Sequence, residues 1–263
     1  MTSHYPHEKR QEILDLAVEV SGMTKDRWDL VSKSFASDQE MNQVMREEWH
    51  AKPRNSDAAI RDYYRESGIW FINTVNHGLG ALLALAGRQL PISATIWERE
   101  FSTALGLGSV GKTVLDYGGG LFKDSWPLAA IGHRVEVAEV FGPVTDLLER
   151  FILAENLQDK LGVVRVESET PITKIYDGAV CFETLEHLLH PKELSAHIHQ
   201  HLKKGAPFAF SATFGAPEHA PYHVASNAHL GNEWEWSGAL SRIGFSPYWS
   251  DPNNGGGTKI WKA

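Results

Sequence analysis

The sequence predicts an α/β fold: a mostly parallel sheet, finished at one edge by an antiparallel hairpin and preceded by a helical region. Three observations carry that reading. Residues 8–100 show helical periodicity with almost no alternating strand pattern. From Lys112 onward, short apolar runs alternate with amphipathic stretches, the pattern of a parallel sheet with right-handed crossovers. The chain then closes on Gly244 to Ser250, the turn-rich Asp251-Pro252-Asn253-Asn254-Gly255-Gly256-Gly257, and Thr258 to Lys262, a hairpin that makes one sheet edge antiparallel.

In chain order, Ile13, Leu14, Ala17, Val18 and Val20 form one apolar face behind Glu8-Lys9-Arg10, and Ser21-Gly22 stops that helix. Helices follow at 25–34, 38–50, 57–66 and 69–88, with a break at Lys52-Pro53-Arg54-Asn55. Gly78 and Gly80 in the last of these admit a close neighbour or kink the helix. His77 on the same helix reads as a buried, satisfied histidine. Strands are predicted at 113–117, 134–140, 162–168, 178–183 and 207–214, with helices near 124–131, 143–157 and 191–204. The last helix has Pro191 in its first turn, Lys203-Lys204 in its last and Gly205 beyond. The division is therefore a helical lid and pocket region over 1–100 and a core over 101–263.

Composition narrows the function. With 25 Lys+Arg against 33 Asp+Glu, the formal charge of −8 offers no general attraction for phosphate, so a nucleic-acid partner is not expected. The single cysteine, Cys181, excludes an internal disulfide framework and reads as a small buried hydrophobe. Met1 to His7 lacks the apolar stretch of a signal peptide, and the apolar window Ile69 to Leu90 is interrupted by Asn73, Asn76, His77, Arg88 and Gln89. The expectation is a cytoplasmic protein with no membrane partner, and helix 69–90 suggests a homodimer.

The first strand runs into Asp116-Tyr117-Gly118-Gly119-Gly120, and in an open parallel sheet ligands sit beyond such carboxyl ends. A second acid, Glu139, closes the second strand at the spacing from which a carboxylate accepts both hydroxyls of an adenosine ribose. A nicotinamide or flavin site needs a glycine where Lys123 stands, and a triphosphate loop needs Gly-Lys-Ser/Thr, which is absent. An adenosyl ligand without phosphate fits best.

Val114-Leu115-Asp116-Tyr117-Gly118-Gly119-Gly120 resembles the first motif of the class I S-adenosylmethionine-dependent methyltransferases. Tyr176 to His187 is similar to their fourth-strand motif, with the Leu185-Glu186-His187 signature of the branch containing ubiquinone-pathway and natural-product enzymes. His201-Leu202-Lys203-Lys204-Gly205-Ala206-Pro207 resembles the turn before their fifth strand, and the likeness runs in order over residues 105–263. It implies a Rossmann-like seven-stranded sheet, S-adenosyl-L-methionine as cofactor, and methyl transfer to an O, N or C nucleophile. By resemblance, Asp116 with the backbone of Gly118, Gly119 and Gly120 would hold the methionine end, Glu139 the ribose, and Glu183 would stand beside the cofactor. Glu167 or Glu169 would approach the adenine. One departure touches the loop: the usual next glycine is Phe122.

An oxygen or nitrogen acceptor also needs a proton acceptor, for which histidine is the usual candidate. His223 is the first choice, then His219 and His187, all following strands four and five. Tyr63, Tyr64, Trp70 and Tyr222 are the candidate substrate-binding residues; Trp234 and Trp236 either wall the pocket or pack. His197, His199 and His201 read as an exposed helix face rather than a metal site, and no metal is assigned. A small-molecule substrate is the leading expectation. The alternatives are a protein or peptide substrate, and a non-catalytic adenosyl-binding regulatory subunit.

Overall fold

The computed structural model describes residues 7–34, 38–89, 95–106, 108–167, 172–214, 223–251 and 257–263. Ahead of the sheet run α1 (His7–Ser21), α2 (Lys25–Ser34), α3 (Asp38–His50), α4 (Asp57–Glu66), α5 (Gly68–Ala86) and α6 (Ile96–Leu105). The first five stand where the periodicity put them. α6 went unread, although its start is legible: Thr95 Oγ1 accepts from the Glu98 N–H while the Glu98 carboxylate accepts from the Thr95 N–H, a capping box. The division drawn between residues 100 and 101 falls inside this helix. Phe101 and Leu105 of α6 are buried in the sheet's own core, so α6 belongs with the sheet.

The strands are β1 (Thr113–Tyr117), β2 (Arg134–Val140), β3 (Leu161–Val166), β4 (Gly178–Phe182), β5 (Pro207–Ser211), β6 (Ser246–Ser250) and β7 (Lys259–Lys262), with spatial order β3-β2-β1-β4-β5-β7-β6. β1 to β5 are parallel, and β7 runs antiparallel between β5 and β6. Crossovers lead from β1 outward to β3, then return to β4 on its other side. The ends of β1 and β4 therefore flank the switch point where a crevice opens.

Between strands lie α7 (Trp126–Ala130), α8 (Pro143–Ala154), α9 (Pro191–Gln200) and α10 (Glu233–Ile243). α9 is shorter than predicted because the chain turns at His201. There the Tyr176 N–H donates to the His201 carbonyl at 2.8 Å and the Lys203 N–H to the Tyr176 carbonyl at 3.0 Å. Lys203 then pairs with Asp177 at 2.7 Å instead of capping a helix.

Alternation along the strands builds two layers. Val114, Val135, Val137 and Val180 pack beneath α1, α5, α7 and α8, while Leu115, Ala179, Cys181, Phe208 and Phe210 pack with α9 and α10 on the other face. The helical region and the sheet thus share one core through α1 and α5. Among the described residues only α5 is long and apolar enough to cross a membrane, yet its apolar stripe (Phe71, Ile72, Val75, Leu79, Leu82) is buried in that core. His77, expected inside, is exposed, because it falls on the stripe of Asn76 and Gly80 instead.

The two glycines of α5 differ. A Cβ on Gly78 would run into Leu121 of the loop after β1, whereas one on Gly80 meets nothing within 4 Å. Gly78→Ala should therefore destabilise by roughly 1–3 kcal/mol through overpacking. Gly80→Ala should be neutral or stabilise by up to about 1 kcal/mol, from helix propensity. Urea midpoints of the two variants test this; equal effects would show that α5 is not seated on Leu121.

Candidate active site

The loop after β1 is wrapped around a buried carboxyl. Asp116 is 1% exposed and accepts a hydrogen bond from Ser125 Oγ at 2.5 Å. Any Cβ on Gly119 would strike this carboxylate, so glycine is required there. Burial, followed by the charges of Asp124 and Glu139, outweighs the Ser125 bond and pushes the Asp116 pKa up to about 7. Gly118 and Gly120 take positive φ, and so does Phe122 at 61°. Phe122 adopts the left-handed conformation that a glycine would take freely. Its ring is fully buried, and burial worth roughly 2–3 kcal/mol offsets a left-handed cost of about 1–2 kcal/mol.

At the end of β2, Glu139 turns back toward this loop. Its Oε2 accepts from the Gly120 N–H at 3.0 Å and its Oε1 from the Val140 N–H at 2.8 Å. A carboxylate has about four acceptor sites, so two remain for a diol. Burial raises the Glu139 pKa despite these two donors.

The end of β4 carries the third component. Glu183 adopts a left-handed φ of 45°, and a Cβ on Gly118 would collide with Thr184, so the β1 and β4 loops interlock across the switch point. A single turn follows, Leu185–His187, which buries Glu186 and His187. The segment after β5 docks on that turn. The Val224 N–H donates to the Glu186 carbonyl at 2.9 Å, and Asn227 Nδ2 donates to the Leu188 carbonyl at 2.6 Å. This docking brings His223 Nε2 to 4.0 Å from Glu186 Oε1 and the His223 ring to 5.0 Å from the His187 ring. Burial, and then the neighbouring Glu183, push the Glu186 pKa up to about 8, while burial draws His223 below the ordinary imidazole value.

These parts line one cavity of about 240 Å³. Tyr117, Gly118, Ala138 and Glu139 form its floor, and Glu183, Thr184 and His187 one wall. Tyr64 and Trp70 close it from α4 and α5, and Glu193, Leu194 and His197 from α9. A second recess of about 330 Å³ beside it is lined by Arg61, Asp62, Arg65 and Glu167.

The profile of a methyltransferase domain matches residues 88–254, the larger part of the chain. The chain belongs to that family. It is a class I S-adenosylmethionine-dependent methyltransferase. Comparison with curated protein sequences returns no match. Among solved structures, magnesium protoporphyrin IX methyltransferase (ChlM) from Synechocystis PCC 6803 with bound SAM is similar at TM-score 0.51 and 16% identity, over 80% of this chain and 98% of that one. Its complex with SAH gives 0.50 and 13%, over 79% and 98%. The glycopeptide N-methyltransferase MtfA complexed with sinefungin is 18% identical over 70% of this chain and 95% of that one, at TM-score 0.48. At these identities the likeness is one of fold.

Within the methyltransferase, the structure redistributes the residues singled out from sequence. Gly118, Glu139, Glu183, His187, Tyr64 and Trp70 share the cavity lining. Asp116 is not part of that lining: its carboxyl is buried against Gly119 and Ser125, where it shapes the loop. The Gly120 N–H, expected to face the cofactor, is committed to Glu139. Tyr63 is core, 3% exposed, with its hydroxyl donating to the Met45 carbonyl at 3.3 Å, its ring edge-on to Trp49, and Arg54 stacked above. His219, Tyr222 and Glu169 lie outside the described residues. α9 stands at the ligand edge of the sheet, and His197 lines the cavity. Its histidine face is not exposed. His197 Nε2 accepts from the Ile172 N–H at 3.3 Å, and His199 packs edge-on against Phe245. Trp236 packs on Phe210 and Phe214, while Trp234 is 87% exposed. Sequence reasoning gave no role to Glu186, Thr184 or Thr213. The first two sit inside the quoted fourth-strand motif; Thr213 carries no periodic signal.

Asp116 makes stability depend on pH. Its folded pKa lies above that of an unfolded aspartate, so its contribution favours folding at low pH and is lost as pH rises from about 4 through 7. In cofactor-free protein, Asp116→Asn should raise the unfolding midpoint at pH 8 by an amount equivalent to roughly 1–4 kcal/mol, and the gain should shrink towards pH 5. A gain that is absent at pH 8, or larger at pH 5, would contradict the buried-acid assignment.

Proposed function

We propose that this methyltransferase holds the ribose of S-adenosylmethionine on Glu139 and the methionine end over Gly118 beside Glu183. The methyl group passes to an oxygen, nitrogen or carbon of a small molecule held against Tyr64 and Trp70. The observation that carries this reading is the continuity of one cavity from Glu139 and Gly118 to Glu183 and His187. Its closure by aromatic side chains from α4 and α5 favours a small acceptor over a polypeptide laid across an open groove.

Transfer is an in-line displacement. The acceptor's electron pair forms a bond to the methyl carbon as the carbon–sulfur bond breaks, its electrons stay on sulfur, and neutral S-adenosylhomocysteine leaves. The protein contributes alignment and exclusion of water. An O–H or N–H acceptor must also lose a proton. His187 lines the cavity, backed by Glu186 and His223, and a histidine base is the simplest way to manage it.

Calorimetric titration with S-adenosylmethionine and S-adenosylhomocysteine tests the cofactor half. Glu139→Ala is expected to weaken both by roughly 10- to 100-fold, the loss of a charged acceptor for two hydroxyls. Unchanged affinity in that variant would remove Glu139 from the site.

A further inference from the structure

Glu186 poses a problem of charge. It is 1% exposed, and its Oε2 is shielded from water with no hydrogen-bond partner. Glu183 stands three positions earlier, and both carboxylates converge on one residue: the Thr213 N–H donates to Glu186 Oε1 at 3.3 Å and the Thr213 hydroxyl to Glu183 Oε2 at 3.3 Å. Among the described residues neither carboxylate has a lysine or arginine partner. Two imidazoles face this acidic pair. Glu186, His187 and His223 each present a ligand atom, and those atoms all lie within 4.8 Å of one another. Around a cation held at about 2.1 Å, neighbouring ligand atoms stand roughly 3–4 Å apart, so binding an ion would draw the three side chains together by about 1 Å.

We propose that Glu186, His187 and His223 bind a divalent transition-metal ion, with Glu183 close by as a second negative charge. The donor set decides the class. Two neutral imidazoles with carboxylate oxygens suit manganese or zinc better than an all-oxygen magnesium or calcium site. Thr213 serves as the outer partner that orients both acids. His223, the third ligand, comes from beyond β5, and only the docking of 223–231 on the Leu185–His187 turn brings it to the other two.

His187 also lines the cavity, so an ion held here would border the space assigned to the acceptor. The site rests on its own geometry, but its role rests on the proposed function. There the histidines are ligands, and the bound ion, by holding the acceptor oxygen and favouring its ionised form, takes the place of a free imidazole base.

The experiment is titration of the full-length, chelator-stripped protein with Mn²⁺, followed by loss of the free Mn²⁺ electron paramagnetic resonance signal, with Zn²⁺ and Mg²⁺ as competitors. The expected result is one Mn²⁺ per chain, displaced by Zn²⁺ more readily than by Mg²⁺. Affinity should fall at least about tenfold in the isosteric Glu186→Gln and in His223→Ala. S-adenosylhomocysteine binding measured on each variant confirms that it is folded. No uptake of Mn²⁺ or Zn²⁺ up to about 1 mM, or uptake unchanged in both variants, overturns the proposal. So does methyl transfer that proceeds at full rate in chelator, which would leave the methyltransferase with a histidine base. Uptake that depends on Glu186 in a protein that fails to bind S-adenosylhomocysteine would support the ion site and count against the cofactor assignment alone.

Discussion

Beneath the first glycine loop lies a carboxyl group that water does not reach, and the positions of the surrounding chain follow from accommodating it. Asp116 needs a donor, which Ser125 supplies, and it needs space, which the missing Cβ of Gly119 supplies. Once those are met, the loop must cross the end of β1 in left-handed conformations at Gly118 and Gly120. Gly118 in turn lies flat enough for Thr184 to press against it from β4. The two halves of the crevice are therefore set against each other by the Gly118 backbone and the short, branched Thr184 side chain, a contact with less play than one between long side chains.

Electrostatically the crevice is acidic. Asp116, Glu139, Glu183 and Glu186 gather around it, and three of them are held above the ordinary carboxylate range, chiefly by burial. Such an arrangement is costly in an empty protein and suits ligands that bring positive charge. A sulfonium is one, and it would sit between the acids of β1, β2 and β4. Stability and ligand affinity should accordingly be linked, because a bound cationic species relieves repulsion that the folded chain otherwise carries.

The sheet and the helices were readable because their signals are local and repeated: apolar alternation in the strands, 3.6-residue periodicity in α1 to α5, Pro191 at a helix start. Glu139 was readable as an acid of the crevice because it closes β2 beside the glycine loop, and it does line the cavity. What sequence did not yield depends on contacts made across distance. Tyr63 and Tyr64 are adjacent and alike, but α4's phase turns one into the Trp49–Met45 packing and the other into the cavity. The enclosure of Asp116 by Ser125 and Gly119 has no signal in the strand pattern. His223 joins Glu186 only because a segment far along the chain folds back over β4. Phe122 interrupts the glycine pattern without interrupting the loop, since the fold uses its ring as core.

Ser67 occupies the single step between α4 and α5. Its N–H closes the end of α4 on the Tyr63 carbonyl at 2.8 Å, and its Oγ accepts from the Trp70 N–H at 3.1 Å while donating to Glu48 at 2.6 Å. With no spare residue at that corner, the two helices cannot swing independently, and Tyr64 and Trp70 move as one wall, in edge contact at 4.9 Å. On the proposed function, a change of acceptor would come by exchanging side chains on a fixed wall, not by re-hinging it. Lengthening the corner by even one residue would uncouple the cavity's aromatic face from the helix that anchors the core.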